Sequence, residues 1–252
     1  MSQTANAGVG MRTAQEIIRD VRVTQAGNGI CYASSGEVAL PSSELERMVT
    51  AVPRSIAAAL NRKAFYFVPL TLGDGEKTLI AEKYDKDLTD QAICHRNIDS
   101  GDAQCVFIST RLLEDRFSIA FEFYINVAHA FVDVAGVSQE FADLAWQQVT
   151  AGVRGETSVD AFEFRRLALG EGPDGAGRTD EKARSDYAAA SFTDAIAVYM
   201  LSLCLDINYH ELREREYPLL APPALAERLN KIAALFPPNP GFQFNIFYRR
   251  RS

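Results

Sequence analysis

The sequence predicts an α+β fold dominated by helix: one domain with a small sheet and a long central helix. Three observations lead there. Apolar residues recur at helical spacing over most of the chain, most densely in Phe117–Gly136. Short aromatic and β-branched runs, AFYFVPL (64–70) and CVFIS (105–109), read as strands. The total is many helices and four or five short strands, with no internal repeat.

The elements follow in order. Residues 1–10, MSQTANAGVG, are small and polar and are expected to be disordered, which leaves a single domain over 11–252. Thr13 to Val23 is helical, with Ile17, Ile18 and Val21 on one face, and Gly27-Asn28-Gly29 ends it before a short strand, Ile30 to Ala33. Ser43 with Glu46 forms a capping-box pattern, opening a helix to about Leu60 that Pro53 kinks or splits. Gly73-Asp74-Gly75 is a turn after the first aromatic strand. Residues 76–104 are polar and mixed, with a short helix at Leu88 to Cys94.

The second strand feeds the long apolar helix. Ser138 starts the next helix, with Phe141, Leu144, Ala145 and Val149 inward; Ser158 caps another, closed by Gly170. Residues 170–178 are a glycine-rich linker or flap: they lack the GK[ST] ending of a phosphate loop. Asp180 to Ile207 is a second long apolar helix. Pro222-Pro223 opens a last one, PPNPG breaks it, and FQFNIFYR (242–249) reads as a strand.

Composition excludes several functions. The net charge is −7, and the one basic cluster is Arg249-Arg250-Arg251, so nucleic acid is not an expected partner. The longest uncharged apolar run, Ala195 to Leu205, falls well short of the ~20 residues that cross a bilayer. With no export signal and no CxxC among Cys31, Cys94, Cys105 and Cys204, the expectation is a soluble, cytoplasmic chain with reduced thiols.

The candidate chemistry centres on His129 and Asp133, four residues apart on one face of the apolar helix. That is a metal-pair spacing. It is equally the spacing of a core histidine bonded to an aspartate one turn along. His210-Glu211-Leu212-Arg213-Glu214 is a second such pattern, in the charged segment HELREREY that reads as a solvated helix end. Cys94-His95 is a third, in which Cys94 would need His129 and Asp133 brought to it in space.

The order CVFISTRLLEDRFSIAFEFYINVAHAFVDV, SFTDAIAVYMLSLCL, YPLLAPPALAERL resembles the layout of an HExxH-type zinc metallopeptidase of the gluzincin kind: strand, metal helix, downstream helix, then proline with Arg228. The resemblance implies a zincin-like fold over roughly residues 60–235. It implies zinc at His129 and Asp133, with Asp194 or Glu140 as a third ligand. The motif itself is broken. If His129 is the first ligand, Ala130 stands where the general base should be; if it is the second, Ile125 and Asn126 replace histidine and glutamate. Loss of a general base costs roughly 10²–10⁴-fold in rate.

Three readings remain open. The chain is a non-catalytic protein on a metallopeptidase-like scaffold, with no cofactor and a protein or peptide partner. It is a divergent metal-dependent hydrolase using His129 and Asp133. Or it is a structural protein unrelated to peptidases, self-associating through strand edges such as Tyr66–Val68 or 242–248.

Overall fold

The computed structural model describes residues 10–74, 77–171, 179–207 and 217–246. The class is the expected α+β, with helix well above strand. Two small sheets are present where one is expected, and they hold nine strands among the described residues instead of four or five. The chain forms two compact units: Met1–Val52 with Leu60–Phe123, and Pro53–Ala59 with Tyr124–Ser252.

In the first unit, β1 (Met11–Thr13) leads into α1 (Ala14–Asp20). Thr13 accepts from the Glu16 amide while the Glu16 carboxylate takes the Thr13 N–H at 2.7 Å, a complete capping box. The short strands β2 (Thr24–Gln25) and β3 (Cys31–Ser34) precede α2 (Ser42–Ala51). The capping box expected at Ser43 is absent: α2 starts at Ser42, so Ser43 lies inside the helix, behind Pro41 at the cap position. At the other end, Asn28 donates to the Val49 and Val52 carbonyls at 2.8 Å, adding a side-chain cap to the last turn. Pro53 splits the helix as expected, with α3 (Arg54–Ala57) beginning beyond it.

Strands β4 (Lys63–Val68), β5 (Leu70–Asp74), β6 (Lys77–Ala81), β7 (Ala92–Ile93), β8 (His95–Ser100) and β9 (Ala103–Ser109) follow in turn. The polar stretch 76–104 conceals three of the unexpected strands, β6, β7 and β8. The helix expected at Leu88 to Cys94 is instead a 3₁₀ segment, Lys86–Gln91, ahead of β7. One sheet has the order β1-β6-β5-β7 and the other β2-β3-β4-β9-β8. In the larger sheet, β3, β4 and β9 are parallel and β8 is the antiparallel outer strand.

Strand β4 is buried on both faces, which is why it reads as an unbroken apolar run. Tyr66 and Val68 pack with Ile17, Ile80 and Phe107. Phe65 meets Phe123 edge to face at 5.0 Å on the other side. Since β4 has β3 and β9 as neighbours, Tyr66–Val68 cannot serve as a dimer edge.

After β9 come α4 (Thr110–Leu113) and α5 (Arg116–Ala135), whose beginning belongs to the first unit and whose remainder belongs to the second. The second unit continues through α6 (Gln139–Thr150), α7 (Val159–Ala168), α8 (Glu181–Cys204) and α9 (Pro222–Leu235). Ser158 caps α7 through the Ala161 amide, and Asp180 caps α8 through Lys182 and Ala183. The aromatic core of the unit links Phe141 to Phe192 and Phe131 to Phe236. Residues 242–246 form no strand, against expectation, and 247–249 lie outside the described residues.

Helices α5 and α8 are long and apolar enough to cross a membrane, but 50% and 72% of those windows are buried inside the protein. That burial identifies them as packed core helices.

One buried group has no partner among the described residues: the Thr71 hydroxyl on β5. The Thr71 amide is satisfied by the Ser109 hydroxyl at 2.8 Å, so only the side chain is orphaned. An unsatisfied buried polar group costs about 1–3 kcal/mol, whereas an apolar group of the same shape avoids that cost. Thr71→Val is therefore expected to raise unfolding free energy by about 1 kcal/mol in urea melts; an unchanged or lower midpoint would contradict it.

Candidate functional site

Burial along α5 follows Ile119, Ala120, Phe123, Tyr124, Val127, Ala128 and Phe131, a stripe at helical spacing. His129 and Asp133 lie off that stripe and are exposed. They form no hydrogen bond or ion pair with each other, so Asp133 is not the partner of a core histidine. Ala130 is buried.

Neither expected third ligand joins them. Glu140 is exposed in the first turn of α6 and pairs with Lys231 at 3.1 Å. Asp194, on α8, is partly buried and accepts from the Thr157 hydroxyl at 2.7 Å. Burial pushes its carboxyl up to about 6, against the hydrogen bonds from Ser158 and Thr157. No cluster of three or more His, Cys, Asp or Glu side chains able to hold a metal forms among the described residues. The segment HELRERE (210–216) lies outside them.

In the first unit, His95 does not activate Cys94. Its Nδ1 is 2.5 Å from the Glu122 carboxylate. Burial and the Glu122 charge hold the Cys94 thiol above its ordinary range. That direction suppresses the thiolate, whereas a nucleophilic cysteine needs it favoured.

The densest polar constellation lies in the second unit, and only Arg228 of it stands out in the sequence. Gly155 has φ +85°, and a Cβ there would come within 2.0 Å of the Leu219 carbonyl oxygen, so only glycine fits. The next residue, Glu156, bridges to the segment before α9: its N–H donates to Pro218 at 3.0 Å, and the Leu220 N–H donates to its carbonyl at 2.9 Å. The Glu156 side chain is thereby fixed in the core, fully buried. One carboxylate oxygen accepts from Arg165 at 3.2 Å and from the Tyr187 hydroxyl at 2.9 Å. The other accepts from Arg228 at 3.0 Å.

Arg228, also fully buried, completes the set. Its Nε donates to Gln148 at 2.8 Å and its second terminal nitrogen to the Tyr187 oxygen at 2.8 Å. Gln148 donates onward to the Ala224 carbonyl and to Glu227. Arg165 anchors the chain entering the network through the Val153 and Gly155 carbonyls. Burial pushes the Tyr187 phenol well above its ordinary range. Both carboxylate oxygens and all three guanidinium nitrogens are engaged within the protein. The group is a clamp joining α6, α7, α8 and α9.

The clamp has a mutational signature. Removing one partner of a buried ion pair leaves the other charge uncompensated, at about 3–5 kcal/mol. Arg228→Met is expected to lose stability on that scale in denaturant melts. Pairing it with Glu156→Leu should recover a large part of the loss; a double mutant no better than the single would contradict the clamp.

The His95–Glu122 pair sets a pH dependence. Its hydrogen bond to Glu122 raises the His95 pKa, although desolvation opposes this. The folded state therefore holds the proton to higher pH than the unfolded one. The resulting stability is present in full below about 6.5 and is lost as pH rises through the folded pKa. NMR titration should place the His95 midpoint above about 6.5, returning toward it in Glu122→Gln. An identical midpoint in that variant would contradict the pairing.

No family model, curated protein or solved structure matches this chain.

Proposed function

We propose that this chain is a non-catalytic protein with a binding or regulatory role, on a scaffold whose order of elements is metallopeptidase-like. The observation that carries the reading is the outer face of α5. His129 and Asp133 stand exposed on it, with neither a mutual bond nor a third donor among the described residues. Ala130, at the general-base position, is packed inward with no carboxylate to offer. The large buried network supports the same reading, because Glu156 and Arg228 are fully buried and spend their bonds on each other and on Arg165, Tyr187 and Gln148.

The test is metal content and hydrolysis together. Protein purified without chelators is expected to carry less than about 0.1 equivalent of zinc, iron or manganese. It should cleave no peptide library above background. Near-stoichiometric zinc, with hydrolysis abolished in His129→Ala, would overturn the proposal in favour of a divergent hydrolase.

A further inference from the structure

A cavity of about 380 Å³ opens in the first unit where α1, β6 and β8 meet. Its polar lining is Thr13 and Gln15 from the start of α1, Lys77 and Thr78 from β6, and Arg96 and Asn97 from β8. Among the described residues no carboxylate lines it. Lys77 and Arg96 are both exposed, and neither has an ion pair or hydrogen bond among the described residues. Two cations with no partner among the described residues thus share one concavity in a chain whose net charge is −7.

The strands fix where these groups sit. Lys77 pairs with Asp74 across the β5–β6 hairpin, and Arg96 and Asn97 pair with Phe107 and Val106 of β9. The backbone that carries both cations is therefore held in ordered ladders. The Thr13 hydroxyl is already committed to Glu16 at 2.8 Å, leaving Thr78, Asn97 and Gln15 as neutral donors beside the charges. Ala14 and Ile98 add a small apolar wall.

We propose that this cavity binds a small phosphomonoester, with Lys77 and Arg96 on the phosphate. Two cations call for a dianion, and a phosphomonoester presents about −1.5 to −2 in one group at neutral pH. Arginine supplies a planar fork to two of its oxygens and lysine a point charge to the third. The volume exceeds that of phosphate alone and leaves space for a compact organic group against Ala14 and Ile98. The inference rests on the binding-protein reading for its biological sense, but it concerns a different part of the chain from His129 and Asp133.

The full chain is titrated with inorganic phosphate and with phenyl phosphate, using acetate as the monoanion control, and followed by backbone amide NMR. Saturable shifts are expected at residues 13–15, 77–78 and 96–98, with phosphates binding more tightly than acetate. Lys77→Gln and Arg96→Gln should each weaken binding about tenfold or more, the scale of one lost charge-assisted hydrogen bond. Lys83→Gln should leave it unchanged. Both cavity side chains are exposed and have no partner among the described residues, so the variants should keep the parent melting temperature, which separates lost binding from lost folding. Shifts that do not saturate, equal binding of acetate, or parent-like affinity in both cavity variants would overturn the site. Zinc-dependent peptide hydrolysis alongside intact phosphate binding would sink the non-catalytic reading and leave the cavity standing.

Discussion

The burial of Glu156 against Arg228 is the constraint on which the second unit depends. Two fully desolvated charges are tolerable only when each finds the other and when every remaining lone pair and proton is also satisfied. That requirement reaches beyond the pair. It fixes Tyr187 on α8, which donates to one charge and accepts from the other, and Gln148 on α6, which holds the Arg228 Nε. It places Arg165 of α7 against the same carboxylate. It also demands the glycine that lets the chain pass the Leu219 carbonyl just before Glu156. Four helices are specified relative to one buried carboxylate. An apolar core alone would hold them together but would set their register less strictly.

This network also explains which parts of the second unit were legible in the sequence. The caps at Ser158 and Asp180 and the proline at the start of α9 are local signals, and the helices appear where those signals place them. The clamp is assembled from residues 148, 156, 165, 187 and 228, which share no local pattern. Each one alone reads as an ordinary polar residue on an amphipathic helix or in a loop. Only Arg228 attracted notice, and it did so through a family layout, not through any partner. The one clue left in the sequence is Gly155 followed by Glu156 in an interhelical segment, and its meaning depends on a contact 64 residues away at Leu219.

The long helix α5 was legible as an element and misleading as a site. Its apolar residues occupy nearly every face, so composition suggests burial all round. The core nevertheless takes one stripe, and Val134 remains 63% exposed on the outside. His129 and Asp133 share their face at i and i+4, as the spacing requires, but that face looks outward. Periodicity fixes which residues share a face. It does not say which face the rest of the chain covers when most of them are apolar.

The first unit was misread for a related reason. Strand β4 announces itself because helix α1 and Phe123 of α5 cover its opposite faces, leaving an apolar run. Strand β8, HRNIDS, is the outer strand of the same sheet and carries polar residues at most positions, as edges that must resist pairing with other chains do. Such a strand has no alternation strong enough to detect, so 76–104 reads as polar and mixed, with a short helix at Leu88 to Cys94. The same polarity gives the unit its chemical character. In the second unit, the buried charges close on one another. Along β6 and β8, the backbone at Lys77 and Arg96 is held by its ladders, and neither charge has a partner among the described residues. The phosphate site proposed for the first unit rests on those two cations, and not on the histidine the sequence brings forward.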